Sequence, residues 1–245
     1  MKIVGPGVID FELYATCIAL DWPQNPVRFD AVSSLLYVDR RGAPENRQAG
    51  LDAVAKAVLL RATIQTSRHG DRESWITEVN WPLHEGPHSP AGRHVAVSED
   101  AQASYLTRYY VLLLGSGMVE RVYWWQLAAR GYGLADHGER GLRRRPSWHA
   151  LAFLSRALEG SRALGPVPSS SPLVVHAFAR ADGSTWQVGW SAADRPVEWK
   201  LPARPLRLFD RGGAELAAPA ETTITVGGSP VYAEMDEIPA PYPAL

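Results

Sequence analysis

Two styles of hydrophobic patterning divide the chain, and the change falls near residue 165. Before it, short apolar runs alternate with stretches whose apolar residues recur at helical spacing. The runs are KIVGPGVIDF (2–11), RFDAVSSLLYVD (28–39), ESWITEVNW (73–81) and VERVYWWQL (119–127). Each is rich in β-branched or aromatic residues, which suit a pleated, half-buried surface, so each predicts a strand. Helical segments follow the last three runs. Residues 45–67 carry Leu51, Val54, Val58 and Ala62 at helical spacing. Residues 99–114 open behind Ser98, a hydroxyl able to cap a free backbone N–H, with Glu99 and Asp100 at the positive helix end. Their apolar face is Leu106, Tyr109, Tyr110 and Leu113, and Gly115 and Gly117 stop them. Residues 146–160 begin at Pro146, which fits a first turn, and end at Gly160. Strands apolar on both faces, alternating with helices, predict a parallel sheet with helical crossovers.

After the change, GPVPSSSP (165–172) reads as a linker. LVVHAFARADGSTWQVGW then places two alternating runs around Asp182-Gly183, a hairpin signal. Short strands follow at VEWKL, LRLFD, TTITV and PVYAE. The division is therefore residues 1–164 as an α/β unit, 165–172 as linker, and 173–245 as an antiparallel β-domain. That last segment ends in the Pro-rich tail EIPAPYPAL, expected to be loosely held.

Composition narrows the classes. With 245 residues the chain can hold one large domain or two small ones. A formal net charge of -1 sets up no field toward nucleic acid or an acidic membrane. No stretch approaches the roughly 18 apolar residues of a membrane span. The lone Cys17 excludes an internal disulfide and is expected as a small buried apolar group. MKIVGPGVIDF reads as a strand that starts at once, not as a signal peptide. The compartment stays open: cytoplasmic if the chain is complete, exported if an absent N-terminal half carries a leader. Nine tryptophans is a high count, fit for core packing or for stacking on sugar rings.

In a parallel α/β barrel, chemistry sits at the C-terminal strand ends. Glu78 lies at such a position, as do Asp10, Tyr37, Asp39, Asn80, Trp81, Trp124 and Gln126. A carboxylate ringed by aromatics and amides suits glycoside hydrolysis, although a solvated carboxylate at a strand end has the same local sequence. A retaining glycosidase needs a nucleophilic carboxylate and a carboxylic acid roughly 5–5.5 Å away. His84, His88 and His94 with Glu85 invite a metal reading, but their Pro- and Gly-rich surroundings match no zinc spacing. RGLRRRP (140–146) lacks the interleaved aromatics of a nucleic-acid surface and reads as a solvated loop. No Gly-x-Ser-x-Gly elbow is present, and the RGYGLADHG glycines do not follow a dinucleotide pattern.

SWITEVNW (74–81) resembles the seventh strand of the clan-A glycoside hydrolases, in which Thr-Glu carries the nucleophile. VERVYWWQLAARGYGLAD (119–136) resembles the eighth strand and its loop, with a tryptophan under the sugar. RRRPSWHALAFLSRAL (143–158) is similar to the closing helix, KIVGPGV (2–8) to the fifth strand, and FDAVSSLLYVDRRGAPE (29–45) to the sixth. The nearest type is family thirty-nine, the β-xylosidase and α-L-iduronidase group, with its exopolysaccharide-degrading relatives. The resemblance implies an α/β fold: the C-terminal half of a TIM barrel, about four β/α units, followed by a small antiparallel β-sandwich. It implies a retaining glycosidase acting on carbohydrate, without cofactor, metal or nucleic acid. Glu78 would be the nucleophile and Tyr37 its orienting partner. Trp124 would be the platform, with Asn80, Trp81 and Gln126 lining the site.

Two departures limit the carry-over. Leu35 stands where the family shows a histidine two residues before the tyrosine. The acid/base of the clan is the glutamate of an Asn-Glu pair on strand four, and this chain contains no such pair. Asp10, Glu12 and Glu85 lie near the right face but read as loop or surface acids. The chain is therefore expected to be a fragment whose partner is the missing N-terminal half-barrel or a second copy. A non-catalytic carbohydrate-binding or inactive remnant is the alternative.

Overall fold

In a computed structural model, describing residues 1–9, 12–38, 42–84, 95–138, 141–217, 219 and 221–236, the four N-terminal runs form one parallel sheet. Its elements are β1 (Val4–Val8), α1 (Leu13–Asp21), β2 (Ala31–Leu35), α2 (Ala53–Thr66), β3 (Glu73–Val79), α3 (Glu99–Gly115) and β4 (Arg121–Trp124). The strand order is β1-β2-β3-β4, each pair parallel. One face, with Val32, Ser34, Ser74 and Ile76, is buried. Its apolar residues join Leu60, Ile64, Leu106 and Leu113 of α2 and α3 in the core. The opposite face carries Trp75, Arg121 and Tyr123, with the Arg121 guanidinium over the Trp75 ring at 5.0 Å.

Ser98 and Pro146 start their helices as the sequence predicts. The helix expected from residue 45 begins only at Ala53, because Ala49 and Gly50 take positive φ values of 49° and 85°. Asp52 then caps it, accepting from Ala55 N–H at 2.9 Å. Helix α1 is an element that periodicity does not announce. LYATCIALD is apolar almost all round, so no amphipathic stripe marks it. Cys17 lies on its outer side and is exposed, which corrects the expectation of a buried thiol.

After β4 come the hairpin β5 (Ala135–Gly138) and β6 (Gly141–Arg144), then α4 (Pro146–Leu158). The remaining strands are β7 (Arg162–Pro166), β8 (Leu173–Ala179), β9 (Thr185–Ser191), β10 (Val197–Lys200), β11 (Arg207–Asp210), β12 (Glu215–Leu216), β13 (Thr223–Val226) and β14 (Val231–Met235). Six of them form an antiparallel sheet in the order β12-β11-β14-β9-β8-β7, and β10 pairs with β13. β7 reaches into the segment read as linker: Gly165 pairs with Ala177, and Pro166 with His176.

The antiparallel region packs on α3 and α4. Phe153 of α4 meets Trp186, Phe209 and Tyr232 ring against ring. Arg108 of α3 is wholly buried and bonds Asp194 at 2.6 Å and Glu45 at 2.5 Å, while Trp190 Nε1 donates to Glu45 at 2.7 Å. Gly115 lies against His176, where an added Cβ would sit 2.5 Å from Nδ1. Among the described residues no helix is long and apolar enough to cross a membrane. Asp10, Asp39, Glu85, His88, His94 and the tail from residue 237 lie outside the described residues.

Candidate active site

Glu78 and Tyr37 meet at the C-terminal ends of β3 and β2. The β2–β3 register shifts between Ser34 and Leu35, bringing Leu35 opposite Glu78. On the other side the β3–β4 register shifts between Ile76 and Val79. Such irregularities re-aim side chains at strand ends. Leu36 N–H donates to Glu78 carbonyl at 3.3 Å, and the buried Tyr109 hydroxyl of α3 donates to Leu36 carbonyl. The residue before Tyr37 is thus fixed from two sides. Tyr37 Oη donates to Glu78 Oε1. The buried Asn80 amide donates to Tyr37 Oη at 3.4 Å. The phenol hydrogen bond fixes the direction in which the Glu78 carboxyl points, as an attacking group must be oriented by a neighbour.

The tryptophans divide by depth. Trp81 is 0% exposed. Its Nε1 donates to Gly42 carbonyl at 2.8 Å, and its ring packs on Tyr105, Tyr109 and Trp124. It has no face to give a ligand, so its part is to support, not to line. Trp124 is half-buried, stacked on Trp81 at 6.1 Å, with Nε1 donating to Tyr132 carbonyl at 3.1 Å. The outward indole is the next residue: Trp125 is 46% exposed, and its N–H donates to Val79 carbonyl at 3.0 Å. Trp125 lies one residue beyond β4 and is exposed, as are Arg121 and Tyr123 of that strand. The Trp-Trp pair held this signal, because only one of two neighbours can point into the core. Gln126 turns toward its own loop, its amide donating to Ala128 carbonyl at 3.1 Å.

Two buried polar residues outside the sequence-predicted set shape the loops here. Gln102 of α3 donates to Trp81 carbonyl at 2.8 Å and Tyr132 carbonyl at 3.3 Å, so one amide ties the loops after β3 and β4. Arg145 donates to the carbonyls of Ala129, Gly133 and Arg130 at 2.9, 2.6 and 2.6 Å, and pairs with Asp136 at 2.8 Å. The basic run is therefore not a solvated loop at this position. Hydrogen bonds from Arg143, then the Arg145 charge, hold Asp136 below the usual carboxylate range against the opposing effect of burial. Glu12 is committed as the cap of α1, accepting from Ala15 N–H at 2.7 Å. Among the described residues no three His, Cys, Asp or Glu side chains gather as a metal site.

The chain is similar in fold to solved glycoside hydrolases. A family 39 glycoside hydrolase from Bacteroides cellulosilyticus WH2 aligns with a TM-score of 0.66 at 19% identity, over 85% of this chain and 44% of that one. The GH51 arabinofuranosidase from Xanthomonas axonopodis pv. citri gives 0.60 at 10% identity, over 96% and 58%. A GH39 β-xylosidase from Caulobacter crescentus gives 0.54 at 14% identity, over 97% and 58%. The chain thus spans about half the length of the structures it matches. At these identities the likeness is one of fold, a parallel α/β layer joined to antiparallel sheets. No protein-family model and no curated protein matches the chain.

Proposed function

We propose that the chain carries the nucleophile side of a retaining glycoside hydrolase, built as half of an eight-stranded barrel with a β-sandwich. The observation that carries this reading is the Tyr37–Glu78 hydrogen bond at the ends of two adjacent parallel strands. It lies in a fold similar to that of glycoside hydrolases. Glu78 attacks the anomeric carbon as the bond to the leaving oxygen breaks, giving a glycosyl ester. The leaving oxygen takes its proton from a carboxylic acid supplied outside the described residues. Water then gives a proton to that same group and attacks the anomeric carbon, freeing Glu78 with net retention. Tyr37 holds Glu78 aimed by its hydrogen bond, and the Trp125 face is the surface on which a sugar ring stacks. Pentosides are the first substrates to try, since two matched structures are a β-xylosidase and an arabinofuranosidase.

2,4-Dinitrophenyl glycosides test this directly, because their leaving group departs without a proton. Proton NMR of the first-formed sugar should show the retained anomer, and Glu78→Gln should abolish turnover. An inverted anomer, or turnover indifferent to Glu78→Gln, defeats the proposal. The exposed Trp125 also favours a second reading, a non-catalytic sugar-binding remnant. In that case the chain binds sugar with no turnover, and Glu78→Gln binds as the wild type does.

A further inference from the structure

We infer that Arg145 is a positioning residue: it holds the loop after β4 rigid, so that Trp125 stands as a preformed surface for a sugar ring. The inference rests on the reading of Trp125 given above and adds what fixes it. The loop, residues 126–134, leaves β4 directly after Trp125 and leads into β5. Its sequence, QLAARGYGL, is rich in Ala and Gly and offers few apolar side chains for a core. A loop of that composition is ordinarily mobile, with its carbonyls turned to water. Here each of the six carbonyls from Ala129 to Leu134 accepts instead from a group outside the loop. Ala129 and Gly133 accept from Arg145 Nη1 at 2.9 and 2.6 Å, and Arg130 accepts from Nη2 at 2.6 Å. Gly131 accepts from Leu83 N–H at 2.7 Å, and Leu134 from the backbone N–H of Arg145 at 3.0 Å. Tyr132 accepts from Gln102 Nε2 at 3.3 Å and from Trp124 Nε1 at 3.1 Å.

Arg145 is the centre of this clamp. It is 1% exposed, and a guanidinium carries five N–H donors in a fixed fork. Three reach the loop carbonyls, and the other two reach Glu99 at 3.2 Å and Asp136 at 2.8 Å. The two carboxylates offset its charge. An ammonium group, a point charge with three donors, cannot span the same partners. Gly133 belongs to the same arrangement, since an added Cβ would sit 2.3 Å from Ala129 N. The base of the loop is closed just behind the tryptophan. Leu134 N–H donates to Gln126 carbonyl at 3.2 Å and Ala135 N–H to Leu127 carbonyl at 2.9 Å, while Trp125 N–H donates to Val79 carbonyl at 3.0 Å. The exposed Trp125 indole therefore stands on a backbone fixed on both sides. A surface ordered before binding spares the complex the entropy of ordering it.

The test labels the full chain with fluorotryptophan and reads it by fluorine NMR, with Trp125→Phe and Trp186→Phe identifying two of the lines. Trp125 should give one sharp line without any ligand. In Arg145→Lys, which keeps the charge and loses the fork, that line should broaden or split while the Trp186 line stays in place. Hydrogen exchange at Ala129, Gly133, Leu134 and Ala135 should quicken by roughly 10-fold or more, as local opening becomes easier. The tightest-binding of a set of methyl pentosides should bind the variant roughly 10-fold more weakly, the scale of ordering one side chain on binding. The bound sugar should also restore protection to the variant's loop, which a merely structural role would not produce. Gln102→Met, which frees only the Tyr132 end, should show the same changes at smaller size, and it carries the test if Arg145→Lys does not fold. The inference is overturned if the wild-type Trp125 line is already broad, or if Arg145→Lys leaves the line and the exchange unchanged. It is equally overturned if the loop loosens with no change in affinity. A wild-type chain that binds no pentoside defeats the sugar-platform reading and this inference with it. The fluorine line, which needs no sugar, tells that failure from a failure of the clamp.

Discussion

The parallel and antiparallel regions bury their surfaces to different degrees. β9 is buried at every residue from Thr185 to Ser191, enclosed by neighbouring strands and by α4. β4 alternates, with Arg121 and Tyr123 exposed and Val122 and Trp124 half-buried. The antiparallel region has thus closed its core, with Trp186, Phe209 and Tyr232 locked around Phe153. The parallel region closes its helix-covered face and leaves Arg121 and Tyr123 of β4 exposed on the other, with Trp125 exposed just beyond the strand. The difference lies in where the aromatic residues go: in the antiparallel region they close the core, and in the parallel region they divide between a buried cluster around Trp81 and an exposed set at Tyr123 and Trp125.

Substitutions can break that comparison. Trp186→Ala should cost about 3–5 kcal/mol of unfolding free energy by denaturant titration, the usual price of emptying an aromatic core site. Trp125→Ala should change stability by less than about 0.5 kcal/mol, as exposed positions do, and act on sugar binding alone. If the two lose similar stability, the division is wrong. Arg108→Met should cost about 3–5 kcal/mol, because it leaves Glu45 and Asp194 at the junction without their buried cation. The same variant with Glu45→Gln and Asp194→Asn should recover much of the loss.

The junction should also respond to acid. Burial pushes His176 down from 6.5 to about 4, so the folded chain holds it neutral while the unfolded chain protonates first. Its contribution is complete above about pH 6.5 and is lost as pH falls toward 4, by roughly 3 kcal/mol in all. His176→Gln should flatten that part of the stability–pH curve; an unchanged curve assigns the acid sensitivity elsewhere. At the site the effect falls on rate and not on folding. Tyr37→Phe should slow glycosylation of Glu78 by roughly 10²-fold, the loss of one aligned donor, with stability near that of the wild type.

Much of this architecture was legible. The four strands, their helices and the Asp182-Gly183 hairpin follow from periodicity and turn chemistry, and Ser98 and Pro146 mark true helix starts. Glu78 and Tyr37 could be placed at one end of a sheet because parallel strands carry their C-termini together. What escaped had physical reasons. α1 is apolar on a side that this chain leaves uncovered, so its pattern is uniform. Trp124 and Trp125 are adjacent identical residues, and only the fold shows that the first is half-buried on Trp81 and the second exposed. Arg145 reads as one of several arginines, and its burial depends on carbonyls that only the folded loop brings together.

The most direct test of the central claim is to locate a covalent intermediate. The chain is incubated with 2,4-dinitrophenyl 2-deoxy-2-fluoro pentosides, whose glycosyl esters turn over slowly, and its peptides are analysed by mass spectrometry. One adduct, on the peptide containing Glu78 and absent from Glu78→Gln, is the predicted result. An adduct on another carboxylate, or none after prolonged incubation with sugars the chain demonstrably binds, would contradict the assignment of Glu78 as nucleophile.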